Sequence, residues 1–307
     1  MEGTSVIAVD LGATHYRAAL VTADGCVSGF VQGDTPREGV SGEVVTRAVG
    51  DAVASVLGQS RAAAIGVASA GPLDLVGGRV VCSPNMAFDE VPLVGPLSER
   101  FGLPVRLLND CRAGALGERW RGAAQGVDDL VYLTLSTGIG GGAVVGGRLL
   151  LGRDGNAGEV GHLFVDAGYA LPCGCGHRGH WEAYASGTGM PRFFAAWLAK
   201  KNLQNPSFDT SSSRGILGAA ARGDPLAGAF MDALGEINAR ALSDIIIAYS
   251  PEMIVLDGPI AQAHGDLLIR HIVPHLDRYL PTPAIMVSPL GGRAPLLGAA
   301  AYALGLR

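Results

Sequence analysis

Val6-Ile-Ala-Val-Asp10-Leu-Gly-Ala-Thr14 is the stretch that decides the fold. An apolar strand delivers a carboxylate straight into a glycine turn. The same idea returns at Val131-Tyr-Leu-Thr-Leu-Ser-Thr-Gly-Ile139, where an alternating strand delivers hydroxyls into a second glycine turn. Strands are predicted after the first copy at 16–21 and 27–31, joined by the Asp24-Gly25 turn, which makes an antiparallel meander. An amphipathic helix over 44–56 follows, with Val45, Val49, Ala52, Val53 and Val56 at helical spacing. Buried strands come next at 64–68 and 105–108, with a helix between them ending near Gly102. The second copy has strands at 130–136, 142–145 and 148–151 around a glycine turn at 137–142. Later come a long helix at 225–249, a strand at 253–256 and a closing helix from about Ala294. This order reads as an internal duplication, hence two similar α/β lobes with a cleft between them. The small lobe is expected over 1–111 and the large lobe over 112–293, with 294–307 packing back on the small one. Lys200–Ser213 is polar and reads as a mobile surface loop.

At 307 residues the chain can bury a substantial core, and 48% apolar against 17% charged residues describes a globular protein. The 46 glycines lack a collagen period, so they point to tight turns and to backbone approaching ligands. A formal charge of −5 with no run of Lys or Arg argues against a nucleic-acid partner. Apolar runs such as 245–248 are far too short for a membrane span, and no signal-peptide pattern opens the chain. Five cysteines, two of them one residue apart, do not make a disulfide scaffold. A cytoplasmic protein is expected.

Ser136-Thr-Gly-Ile-Gly-Gly-Gly142 is the densest chemical signal. Glycines let backbone amides converge on a phosphate, and the Ser136 and Thr137 hydroxyls add donors. A dinucleotide fingerprint would need a helix after this turn, whereas 143–147 reads as a strand; no Gly-Lys-Ser/Thr ending makes it a P-loop. The plain alternative is an ordinary hairpin turn. Asp10, Gly12 and Thr14 occupy the equivalent place in the first lobe, where the carboxylate could hold Mg²⁺ through water. Asn109-Asp110 opens a helix over 111–120. Such residues cap helices, and a helix N-terminus also keeps a carboxylate ionised, as a base requires. A last cluster gathers Glu159, His162, Cys173, Cys175, His177, His180 and Glu182. His162, Cys173, Cys175 and His180 could form a closed N₂S₂ zinc site, with His177 also within reach as fourth ligand; the alternative is free thiols among surface histidines.

Together these motifs resemble the ROK family of sugar kinases and repressors, near its bacterial glucokinase branch. The residues that carry the resemblance are Asp10–Thr14, Asn109-Asp110 with Gly117-Glu118, Leu133–Gly142, Ala157–His162, Cys173–Glu182 and the closing Leu297-Gly-Ala-Ala. The resemblance implies a two-lobed actin-like, ribonuclease H-like α/β fold with ATP and sugar in an interlobe cleft. It makes Asp110 the base for the sugar hydroxyl. Asn109, Glu159, His162 and Glu182 become sugar contacts, joined by Gly71 and Asn85 from the first lobe. His162 would face zinc with one ring nitrogen and sugar with the other. Asp10, Gly12, Thr14, Ser136, Thr137, Gly138 and Gly258 fall where the family meets the nucleotide. The sequence departs from the family pattern at Ala13, His15, Ser136, Asp257, Pro259 and His180, the last standing for a usual cysteine.

The implied activity is ATP-dependent phosphorylation of a hexose, with glucose and its C6 hydroxyl as the default acceptor. Kanosamine, N-acetylmannosamine and N-acetylglucosamine are the alternatives, and polyphosphate is an alternative donor. A repressor would need a DNA-binding segment ahead of the first strand. A non-catalytic sugar sensor would not need Asp110. A homodimer or homotetramer is expected by family analogy alone.

Overall fold

The computed structural model describes residues 4–83, 86–204 and 206–306. The chain forms two compact units: 1–128 with 142–157 and 293–307, and 129–141 with 158–292. The described elements in chain order are β1 (Ser5–Leu11), β2 (His15–Thr22), β3 (Val27–Asp34), α1 (Glu43–Leu57), β4 (Ile65–Ser69), β5 (Leu73–Asp74), β6 (Arg79–Val81) and β7 (Glu90–Pro92). There follow α2 (Val94–Phe101), β8 (Val105–Asn109), α3 (Asp110–Arg121), β9 (Leu130–Leu135), β10 (Ile139–Val145) and β11 (Arg148–Leu149). The remainder is α4 (Glu182–Ala185), α5 (Gly189–Lys201), α6 (Ser213–Ala221), α7 (Pro225–Tyr249), β12 (Met253–Asp257), α8 (Gly258–Ile272), β13 (Ala284–Val287) and α9 (Ala294–Ala303).

The first five-stranded sheet has the order β3-β2-β1-β4-β8. β1 pairs antiparallel with β2 and parallel with β4, and β4 is parallel to β8. The second has the order β11-β10-β9-β12-β13, with β12 parallel to both β9 and β13. In each sheet the first strand of its set lies central, its two successors extend one side and the later strands the other. The duplication read from Val6–Thr14 and Val131–Ile139 is therefore a duplication of sheet order. A small antiparallel sheet, β5-β6-β7, was not anticipated. Its strands are two or three residues long, too short to carry an alternating pattern.

In the first unit Ile7, Val9, Leu11, Ile65 and Val67 pack against the buried face of α1, contributed by Val45, Val49, Val53 and Val56. α9 packs with α3, β1 and β4. The two helices approach backbone to backbone: a Cβ on Gly298 would collide with the Ala113 carbonyl, and one on Gly117 with that of Ala294. Gly298→Ala should therefore destabilise the protein by about 1–3 kcal/mol or more, because backbone cannot step aside as a side chain can. Gly95→Ala, where an added Cβ meets nothing within 4 Å, should be neutral or stabilising. Urea midpoints of the two variants check this, and equal midpoints would refute it.

In the second unit an aromatic core joins Phe193, Phe194, Trp197 and Phe230, with Phe194 and Phe230 edge-to-face at 4.8 Å. α7 begins where Asp224 Oδ1 accepts from Leu226 N and Ala227 N, each at 3.0 Å, with Pro225 next. Between α5 and α6 the connection is 202–212, shorter than the predicted loop because α5 runs to Lys201 and Ser212 caps α6. No described helix is long and apolar enough to cross a membrane.

Candidate active site

In the first unit β1, β4 and β8 are parallel, so their C-terminal ends share one edge of the sheet, where open α/β sheets bind ligands. β1 delivers the Gly12–Thr14 turn, closed by Gly12 N donating to His15 O at 2.9 Å. Thr35 clamps that turn, its N–H on Thr14 O and its hydroxyl on Gly12 O, both at 2.8 Å. Asp10 Oδ2 lies 3.8 Å from Arg17 Nη1, its partner in the β1–β2 register. His15 pairs with Asp34 at 2.8 Å.

β8 delivers Asn109 and Asp110 to the same edge. Asn109 is buried and caps α3, its Oδ1 accepting from Cys111 N at 2.9 Å and Arg112 N at 3.4 Å. The capping role thus falls on Asn109. Asp110, half-buried as the first residue of α3, accepts from Cys111 N on Oδ1 at 2.8 Å. A Cβ on Gly71 would lie 3.2 Å from Asn109 Nδ2, so these two candidate sugar contacts adjoin. Asn85 lies outside the described residues.

In the second unit the turn after β9 closes by Ser136 N donating to Gly138 O at 2.9 Å. β10 begins at Ile139, so Gly140–Gly142 stand in a strand and not in a turn as the sequence suggested. The physical reason is close approach: a Cβ on Gly141 would press on Val160, and one on Gly142 on the Cys111 carbonyl. Gly258 starts α8 with φ +87°, and an added Cβ would meet Leu135 O and Thr134 Oγ1, both at 2.7 Å. The unexpected Asp257 before it is a buried structural group. Its carboxylate accepts from Tyr132 OH at 3.0 Å and Gln262 Nε2 at 2.9 Å.

Glu159 precedes and His162 ends a short 3₁₀ turn over Val160–His162, seated on β10 by Gly141 N donating to Gly158 O at 3.1 Å. Glu182 opens α4, and its Oε2 accepts from Ile139 N at 3.0 Å. The sugar candidates Glu159, His162 and Glu182 are therefore all tied to the first residues of β10.

His162, Cys173, Cys175 and His180 offer ligand atoms that all lie within 4.8 Å of one another. Within that cluster Cys173 Sγ is 3.7 Å from His162 Nδ1, and Cys175 Sγ is 3.2 Å from His180 Nδ1. His177 stands beside it, 3.8 Å from Cys175. The knuckle is shaped by its own backbone: Cys173 N donates to His177 O at 2.8 Å and Val165 N to Gly179 O at 2.8 Å. Two soft thiols and two imidazoles make a donor set that suits zinc.

The residues that hold this knuckle escaped the sequence reading. Trp181 is buried and donates from Nε1 to Asn238 Oδ1 at 2.7 Å. Asp166 accepts from Tyr169 N at 2.7 Å, Tyr184 OH at 3.0 Å and Arg240 Nη1 at 3.4 Å. Burial alone would raise the Asp166 carboxyl, but the Tyr169 amide and Tyr184 hydroxyl outweigh it and hold it below the usual range. Burial in turn pushes the Tyr184 phenol up to about 12. A depressed carboxyl stabilises the fold above its unfolded pKa, and that contribution is lost as pH falls through the folded one. The only sequence signal was the aromatic pair flanking Glu182.

The ROK family matches residues 6–305. The chain belongs to the ROK family. Among its relatives is a glucokinase of Thermotoga maritima, 35% identical over 98% of this chain and 97% of that one. An N-acetylmannosamine kinase of Shigella boydii is 31% identical over 86% of each chain. A ROK family glucokinase from Streptomyces griseus, solved with glucose and AMPPNP, superposes with a TM-score of 0.81 at 31% identity, covering 98% of this chain and 99% of that one. The fold of this ROK chain is accordingly the two-lobed, actin-like and ribonuclease H-like α/β fold.

Proposed function

We propose that the chain is an ATP-dependent hexose kinase of glucokinase type, transferring the γ-phosphoryl group to the C6 hydroxyl with Asp110 as base. The observation that carries this reading is the shared sheet edge of the first unit. It brings Asp110 together with Asn109, Gly71 and the Gly12–Thr14 turn. Asn109 caps α3, so the Asp110 carboxylate stands at a helix N-terminus without being consumed as the cap. The carboxylate stands at the positive end of the helix, and the Cys111 N–H fixes its orientation. In phosphoryl transfer such a group orients the attacking hydroxyl and accepts its proton.

Glu159, His162, Glu182, Asn109 and Gly71 hold the sugar hydroxyls in this reading. Gly12, Thr14, Ser136, Thr137, Gly138 and Gly258 approach the nucleotide, and Asp10 orients the hydration shell of Mg²⁺. Magnesium, when bound with ATP, neutralises phosphate charge. His162, Cys173, Cys175 and His180 hold a structural zinc, supported by their donor set and spacing. Zinc, when bound, cross-links the knuckle that carries His162 and precedes Glu182. With Nδ1 turned to the cysteines, His162 presents Nε2 to the sugar.

The test is ADP release with Mg-ATP and a panel of glucose, mannose, fructose, glucosamine, N-acetylglucosamine, N-acetylmannosamine and kanosamine. Glucose should give the highest kcat/KM. A preference for N-acetylmannosamine would favour the second reading, an amino-sugar kinase, which the Shigella relative supports. No turnover with any sugar would refute the kinase reading.

A further inference from the structure

One short segment of the second unit grips the Ser136–Ile139 turn at both ends. At the start of α4, Glu182 Oε2 accepts from Ile139 N at 3.0 Å. Just beyond α4, Gly187 N donates to Ser136 O at 2.7 Å, and Thr188 Oγ1 donates to Thr137 O at 3.1 Å. The segment between these grips is stiff. Ser186 is fully buried, and its hydroxyl accepts from Gly189 N at 3.0 Å and lies 3.3 Å from Thr188 Oγ1. Gly189 packs so close to α4 that a Cβ there would collide with the Glu182 carbonyl. Ahead of it Trp181 is anchored on Asn238.

Thr188 is the telling residue. It stands in the first turn of α5 with helical φ −88° and ψ −27°, and the cap of that turn is Ser186, whose hydroxyl accepts from Gly189 N and whose carbonyl accepts from Met190 N. With the cap supplied by Ser186, the Thr188 hydroxyl reaches across to the Thr137 carbonyl.

We propose that Glu182–Thr188 is a coupling segment that makes sugar and nucleotide bind synergistically, with Thr188 as its positioning residue. The proposal rests on the reading above, in which Glu182 takes a sugar hydroxyl and the 136–138 turn takes phosphate. A sugar hydroxyl donating to Glu182 fixes the carboxylate in the orientation that also receives the Ile139 N–H. The grip through Gly187 and Thr188 then restrains the other end of the turn. A nucleotide arriving second meets a turn already ordered, so less entropy is lost on binding. Linkage requires the same factor in the other direction.

The experiment is calorimetric titration of AMPPNP with Mg²⁺ into the full chain, with and without saturating glucose or the acceptor chosen by the panel, and the reciprocal titration of sugar. The wild type should bind AMPPNP at least about fivefold more tightly when sugar is present, the lower end of ordinary coupling factors. In Thr188→Val, which keeps the shape and removes the donor, that factor should fall below about twofold while each ligand alone still binds. Thr188→Ser, which restores the hydroxyl, should restore the coupling. Wild-type coupling retained in Thr188→Val, or no coupling in a wild type that binds both ligands, would overturn the proposal. Failure of the wild type to bind either ligand would overturn the kinase reading beneath it, and the proposal with it.

Discussion

Asp110→Asn should lower kcat by about 10²–10⁴-fold, the usual range for removing a general base. KM for sugar and ATP should stay within a few-fold of wild type. The substitution is nearly isosteric, and the amide oxygen can still accept from Cys111 N. The cap of α3 is Asn109 and remains in place, so the helix should start where it does now. Only the ability to accept a proton is lost. Thermal midpoints of the two proteins should therefore agree while turnover collapses. Turnover near the wild-type level would remove Asp110 from its role, and a collapse of both turnover and stability would mark it as structural.

Cys173→Ala should abolish metal binding and raise the sugar KM on the order of 10²-fold, as expected when binding groups are misplaced by about an ångström. The wild type should carry about one zinc per chain. Cys173 is buried within the cluster, so its loss removes a ligand that solvent groups cannot easily replace. His162 and the His180-Trp181-Glu182 run would lose their common anchor, whereas the Ser136–Ile139 turn would keep the Gly187 and Thr188 grips. KM for ATP measured at saturating sugar should thus change much less than KM for sugar. Elemental analysis with steady-state kinetics checks both parts. Zinc-free wild-type protein with full activity would contradict the ligand set. His177→Ala should leave metal content unchanged, since His177 stands outside the four-membered cluster.

Elements with a long, regular pattern were legible in the sequence. The apolar spacing from Val45 to Val56 marks α1, and the Asp224-Pro225 start marks α7 at its observed first residue. The repeat of a strand entering a glycine turn points to two similar halves, and the two five-stranded sheets share one strand order. The failures have local causes. α8 was not anticipated: glycine with positive φ followed by proline in the first helical turn is how it begins. β13 is four residues long and apolar throughout, Ala-Ile-Met-Val, so its sequence carries no apolar–polar alternation to detect. Gly140–Gly142 looked like turn chemistry because glycine signals both turns and close packing, and sequence does not distinguish them.

Within the site, side chains with distinctive chemistry were found by type: the carboxylate at the helix start, the thiols and imidazoles, the hydroxyl-glycine turn. Their supports were not. Asn238 and Arg240 act from one turn of a long helix with nothing unusual around them. Thr188 looks like an ordinary residue of a first helical turn until its hydroxyl is seen on Thr137. Such residues are defined by where the fold puts them.

The most direct test of the account is product identification. The chain, Mg-ATP and glucose should be incubated together and followed by phosphorus NMR. The account predicts ADP and glucose 6-phosphate appearing in equal amounts, and neither with Asp110→Asn over the same time. ADP appearing with inorganic phosphate alone, or no sugar phosphate from any acceptor in the panel, would contradict it.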